Sequence, residues 1–142
     1  MGTIRAVILH LLVFFIFKIY AHHPSTVDRK MKMEEFKTLC LCSSKANPAL
    51  VEDFFETGTI YTDPCMACFY ACLIEKLNLV YPNGTYNLDA WYKFYGGFVL
   101  MVEVTACDKT HGSNLDPCAK ASGFLQCMED ALNRDPIAEK RP

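Results

Sequence analysis

The chain opens on an apolar run: between Ala6 and Phe17 only His10 is polar, with Arg5 before the run and Lys18 after it. Beyond it the apolar residues recur three and four apart, and strand-like alternation is essentially missing, so the pattern predicts helices. Asn47-Pro48, Asp63-Pro64 and Asp116-Pro117 each put a capping side chain before a proline. Proline has no N–H to leave unpaired and its φ is already helical, which suits the first helical position. A second helix thus runs from Asn47 through Leu50, Val51, Phe54 and Phe55 to a stop at Gly58. A third runs from Asp63 through Leu73 and Leu77 to Val80, followed by a turn at Tyr81-Pro82-Asn83-Gly84. Ser25 or Thr26 begins a first helix carrying Val27, Met31, Met33, Phe36 and Leu39. Asn87 or Asp89 caps a short fourth helix with Trp91, Phe94 and Tyr95, ended by Gly96-Gly97. Phe98 to Asp108 forms a fifth, and Asp116 opens a sixth that ends near Leu132. The prediction is an all-α fold of six helices.

The opening run also has the form of a secretory signal peptide over residues 1–21: a basic residue, an apolar stretch, then small Ala21 where cleavage is expected. It is short for a bilayer span, and no second long apolar run follows, so stable membrane insertion is not expected. Residues 22–142 then make one domain of 121 residues, ending in a short charged tail over 133–142. Loss of Arg5 and Lys18 moves the net charge from −2 to −4. A mildly acidic, evenly mixed balance with no basic run argues against nucleic acid as partner. The high aromatic and aliphatic content argues against disorder.

Eight cysteines in a short secreted chain read as disulfides before metal ligands, because oxidised thiols cannot act as thiolates. No metal site and no cofactor are expected. A helix turns about 100° per residue, so Cys65 and Cys72 share a stripe, with Cys68 about 60° to one side. The third helix can therefore be stapled to two neighbours. Cys118 and Cys127 point to opposite sides of the last helix and should bond different partners. Cys107–Cys127, across the short connection, is the simplest pairing there. The angles leave the other pairings open.

Cys42, Cys68, Cys72, Cys107, Cys118 and Cys127 follow the spacing Cys-x25-Cys-x3-Cys-x34-Cys-x10-Cys-x8-Cys. Together with Ala106-Cys107-Asp108-Lys109-Thr110-His111, Asp116-Pro117-Cys118-Ala119-Lys120-Ala121 and Phe124-Leu125-Gln126-Cys127, this resembles the insect odorant-binding (pheromone-binding) protein family. The likeness extends over nearly all of residues 22–142. It implies a six-helix, disulfide-stapled bundle around an apolar ligand cavity. It also implies first-to-third, second-to-fifth and fourth-to-sixth pairing, which here gives Cys42–Cys72, Cys68–Cys118 and Cys107–Cys127. The implied function is that of a secreted carrier, monomeric or weakly dimeric. Such a carrier takes a small hydrophobic odorant or pheromone through extracellular fluid, with an olfactory receptor as a further partner.

Cys40 and Cys65 have no counterpart in that pattern, and their natural reading is a fourth bridge, Cys40–Cys65. Cys40 and Cys42 lie about 200° apart on a regular helix. Both reach the third helix only if the first unwinds near Leu41. The swapped arrangement, Cys40–Cys72 with Cys42–Cys65, stays open.

Met33, Phe36, Trp91, Phe94, Tyr95, Phe98, Met101, Phe124 and Met128 are the candidate pocket residues, with ordinary core packing as the competing reading of each. As a set they suit an apolar pocket with a few polar groups at its edge, and methionines adapt to varied ligands. The tyrosine hydroxyls, Thr105 and Ser122 are candidates to orient a ligand. His111, at the end of the fifth helix, is the candidate pH-sensitive group, although a histidine there also suits the helix dipole. The tail beyond Asn133 is expected to cover the pocket mouth at most. Asn83-Gly84-Thr85 is a glycosylation sequon with Asn83 as acceptor.

No catalytic residues are expected. Gly-x-Ser-x-Gly, His-Glu-x-x-His and glycine-rich phosphate loops are all missing, and His22, His23 and His111 are the only histidines beyond the signal. His22-His23 reads as a free chain end before a weak metal site. Two alternatives to an olfactory carrier are considered. One is a carrier of the same fold in saliva, haemolymph or seminal fluid, where an amine ligand would need an acid such as Glu103. The other is a saposin-like protein acting on membrane lipid, for which basic amphipathic faces are lacking.

Overall fold

The computed structural model describes residues 26–96 and 99–134. Among these it contains six helices: α1 (Thr26–Ser44), α2 (Pro48–Thr57), α3 (Pro64–Lys76), α4 (Leu88–Phe94), α5 (Met101–His111) and α6 (Pro117–Arg134). The expected signal peptide, His22-His23, Phe98 and the chain beyond Arg134 lie outside the described residues.

Local chemistry sets the helix starts. Asn47 Oδ1 accepts the Ala49 N–H at 2.9 Å, and Asp63 Oδ1 accepts those of Cys65 and Met66 at 2.9 and 3.0 Å. Asp116 Oδ1 accepts from Cys118 and Ala119 at 2.9 and 3.3 Å, and Asn87 Oδ1 from Ala90 at 3.1 Å. These bonds satisfy N–H groups that a helix cannot satisfy internally. Gly58 closes α2 at φ +76°, a left-handed geometry without penalty for a residue lacking Cβ.

Two boundaries differ from the sequence reading. α3 stops at Lys76 and not at Val80, because Asn78 turns left-handed at φ 56° and the chain reverses to bridge Val80 with Tyr86. α5 begins at Met101, later than Phe98, where Glu103 Oε2 accepts the Leu100 N–H at 3.0 Å.

α3 is the spine. It packs most extensively on α6 and next on α1, burying Met66, Phe69, Tyr70, Leu73 and Ile74. A second aromatic layer centres on Trp91, fully buried at 0% exposure. Its ring stacks on Tyr95 at 6.0 Å between centroids and leans on Phe124 at 4.7 Å. Phe94 and Tyr86 meet it edge-on, each at 6.0 Å.

Three disulfides hold these layers. Cys68–Cys118 ties α3 to α6, with Cα atoms 4.4 Å apart, and Cys107–Cys127 ties α5 to α6 at 5.7 Å. The third corrects the expected pairing. Cys40, not Cys42, is bonded to Cys72, with Cα atoms 5.5 Å apart. Neither Cys42–Cys72 nor Cys40–Cys65 forms; of the swapped arrangement Cys40–Cys72 is present, but Cys42 and Cys65 are both exposed free thiols and do not form its second bridge. The reason is the regularity of α1. It stays helical through Ser44, so Cys40 faces the core at 0% exposure while Cys42, about 200° round, faces away.

Alkylation of the folded, unreduced protein should therefore label Cys42 and Cys65 alone, read by peptide mass mapping. Cys42→Ser and Cys65→Ser should each shift stability by less than about 0.5 kcal/mol, as exposed substitutions do. Recovery of a Cys42–Cys72 or Cys42–Cys65 peptide would contradict the arrangement.

Candidate functional site

A cavity of about 390 Å³ opens where the start of α1, the end of α2, α4 and the second half of α6 converge. α6 supplies Leu125, Glu129 and Leu132, spaced i, i+4, i+7 on one stripe, and α1 supplies Arg29 and Met33 one turn apart. Phe54, Phe55, Ile60, Phe94 and Tyr95 supply the rest of the apolar wall, and exposed Lys30, Glu56, Thr57 and Gly58 also line it. Phe54 and Phe55 belong to an edge-on aromatic cluster with Phe69, so this wall is braced by the spine.

One corner of the cavity is polar. The Arg29 guanidinium carbon stands 4.9 Å from the centre of the Tyr95 ring, a cation–π distance. The Tyr95 hydroxyl and the Glu129 carboxylate interact at this corner. Burial raises the Glu129 carboxyl above the usual carboxylate range, and Asp130 adds to the rise; Arg29 and the Tyr95 hydroxyl oppose it. Burial also lifts the Tyr95 phenol far above its ordinary value, so it stays a donor at any physiological pH. The cavity thus joins a mostly apolar wall to one ionic and hydrogen-bonding corner, the composition of a small-molecule site.

The residues expected in the pocket divide in the structure. Met33, Phe94 and Tyr95 line the cavity. Trp91, Phe124 and Met128 are fully buried, and Trp91 and Phe124 form the core layer behind Phe94 and Tyr95. Phe36 is half-buried against the core, and Met101 is 37% exposed on the first turn of α5, so neither joins the wall. Phe98 lies outside the described residues. Thr105 Oγ1 donates to Met101 O at 2.9 Å within its own helix, and Thr105 does not line the cavity. Glu103 is occupied in starting α5, and the acids at the cavity are Glu56 and Glu129.

His111 and Ser122 line a separate cleft of about 830 Å³ on a neighbouring stripe of α6, with Gln126 and Asp130. The His111 ring lies directly against Gly123, where a Cβ would come within 2.5 Å of Nδ1. It is a packing residue between α5 and α6, one stripe away from the cavity. A further cleft of about 860 Å³ lies between the end of α3, the turn before Tyr86 and the start of α6. Glu75, Lys76 and Lys120 stand along it, and Lys120 Nζ donates to Gly84 O at 2.7 Å, pinning the turn. Asn83 is exposed at this turn, and its Oδ1 accepts from Thr85 N and Oγ1 at 3.0 and 2.7 Å.

Sequence reasoning missed Arg29 and Glu129. The α6 stripe of Leu125, Glu129 and Leu132 was visible as helical spacing, and a glutamate between two leucines on one stripe was the available signal. Nothing local linked it to Arg29, a hundred residues earlier.

The PBP/GOBP family model matches residues 22–131, most of the chain. No curated protein and no solved structure matches.

Proposed function

The chain belongs to the PBP/GOBP family, and from that premise we propose that it is a secreted, non-enzymatic carrier of small hydrophobic molecules through extracellular fluid. The observation that carries the proposal is the cavity of about 390 Å³ bounded by Met33, Phe54, Phe55 and Phe94 with Arg29, Tyr95 and Glu129 at one corner. Its volume falls in the range of small-molecule sites, about 300–1,000 Å³. The driving force is apolar burial, about 0.8 kcal/mol for each CH₂ taken from water. Three disulfides support the hollow, since cross-links limit the unfolded chain and offset the packing that a cavity forgoes.

In this proposal residues 1–21 are the cleaved signal, residues 22–142 the carrier domain, and Asn83 the glycan acceptor. Among the described residues no helix is long and apolar enough to cross a membrane.

The test is titration of the oxidised protein with an apolar naphthylamine fluorophore. Saturable binding that unlabelled medium-chain ligands displace is expected. Binding that does not saturate, or that no ligand displaces, would sink the carrier reading.

A further inference from the structure

The cleft of about 860 Å³ between the end of α3 and the start of α6 shares no lining residue with the cavity of about 390 Å³. One of its walls is the turn that carries the sequon. Tyr81, Pro82 and Gly84 line it, and Asn83, between the last two, is exposed. The turn is closely held. Tyr81 N–H donates to Thr85 O and Gly84 N–H to Tyr81 O, both at 2.8 Å, and Val80 bridges to Tyr86. Lys120 Nζ, 4.8 Å from the centre of the Tyr86 ring, donates to Gly84 O from α6. Asn83 Oδ1 accepts both the N–H and the hydroxyl of Thr85, so the carbonyl side of its amide is engaged. The residue that would carry a glycan is therefore fixed beside a cleft.

Tyr81 is 50% exposed on this wall. The electron-rich face of an open aromatic ring attracts the polarised C–H groups of a sugar ring. The charged residues along the cleft are Glu75, Lys76 and Lys120, and Glu75 and Lys76 are themselves paired at 3.8 Å. With Asn78 they offer both hydrogen-bond donors and acceptors. A neutral, hydroxyl-rich molecule uses both kinds, whereas a hydrocarbon leaves them unmet. Such contacts hold a free sugar weakly. Tethering changes that, because a short link raises the local concentration to about the millimolar range.

We infer that this cleft is the seat of an N-linked glycan on Asn83, whose first sugars lie back against Tyr81 and bond to the polar groups along the cleft. The inference rests on Asn83 as acceptor in a secreted chain and adds where the glycan lies. In the transfer, the bond from Asn83 Nδ2 to the sugar's C1 forms as the C1–O bond to the lipid diphosphate of the oligosaccharide donor breaks. The lipid diphosphate leaves, and Nδ2 gives up one proton to the transferase. The seated sugar covers Tyr81 and stiffens the turn.

The experiment uses the full chain secreted from a eukaryotic cell line, as wild type, Tyr81→Ser, Tyr81→Phe, Asn83→Gln and Tyr81→Ser with Asn83→Gln. Mass mapping should find Asn83 occupied. Peptide N-glycosidase should release the glycan from native wild type about tenfold more slowly than from native Tyr81→Ser, because the sugar must first leave its seat. After denaturation the two should release it alike. Tyr81→Phe, which keeps the ring, should behave as wild type. Tyr81→Ser should lower the midpoint of thermal unfolding by about 3 °C when the glycan is present, and by less than about 1 °C in the Asn83→Gln background. An unmodified Asn83 would overturn both the inference and the acceptor assignment. Equal release from native wild type and native Tyr81→Ser would overturn the inference alone, as would equal midpoint shifts in the two backgrounds. The naphthylamine titration reads the carrier proposal separately, because the two sites share no lining residue.

Discussion

Replacing Cys68 and Cys118 together by alanine is expected to lower the folding free energy by about 4 kcal/mol, measured by chemical denaturation and followed by the emission of Trp91. The bridge closes the longest of the three loops, with a sequence separation of 50. Loop-closure entropy gives about 4 kcal/mol for a loop of that size and about 3 kcal/mol for Cys107–Cys127, whose separation is 20. Domains of this size are held by about 5–15 kcal/mol in all, so one bridge is a large share of the total. The midpoint of thermal unfolding should drop by about 15 °C. The bridge also lies where it matters most, across the pairing of α3 and α6, the most extensive helix contact in the molecule. A loss below about 1 kcal/mol would mean that the unfolded chain is already compact around this pair, and that the bridge follows folding more than it favours it. Trp91 suits the measurement because it is the only tryptophan and is fully buried, so its emission should shift to the red on unfolding.

The helix starts were legible because capping is local. Asn47, Asp63 and Asp116 need only the two or three residues after them to make their bonds, and all three make them. The choice between Cys40 and Cys42 was not local. It depended on whether α1 would unwind at Leu41 to bring both thiols to α3, a competition between helix hydrogen bonds and a fourth bridge that no spacing reveals. The helix won, and the two cysteines outside the family pattern's six positions do not pair with each other: Cys40 takes the place expected for Cys42.

The site was half legible for a similar reason. An aromatic side chain announces burial, but burial in a core and at a cavity wall look alike along the chain. Phe94 and Tyr95 line the cavity while their neighbour Trp91 stands behind them, one helix turn deciding the difference. Phe54 and Phe55 read as an ordinary helix face and prove to be wall. Glu103 and Glu129 show the same limit for acids: one is used within its own helix, the other meets Arg29 and Tyr95 from distant segments.

The second large effect is expected at Trp91. Trp91→Ala should cost about 3–5 kcal/mol, the usual range for deleting a buried ring, because it removes the surface on which Tyr95 stacks and against which Phe124 leans. Trp91→Phe should behave differently. The indole Nε1 is buried with no partner among the described residues, and an unmet buried donor costs about 1–3 kcal/mol. Phenylalanine removes that liability while keeping an aromatic ring for Tyr95, Phe94 and Phe124. The loss of volume and the removal of the unmet N–H then work in opposite directions, and the net cost should stay below about 1.5 kcal/mol. Both variants lack the tryptophan signal, so far-UV circular dichroism must follow their unfolding. Binding should separate in the same way. Trp91→Ala lets Tyr95 and Phe94 relax into the space behind them and should weaken apolar ligands at least tenfold, while Trp91→Phe keeps the wall upright and the affinity within about threefold; these factors correspond to roughly 1.4 and 0.6 kcal/mol. Equal destabilisation by the two substitutions would show that Nε1 is satisfied in solution. A Trp91→Ala that is destabilised but binds normally would show that the wall stands without its backing.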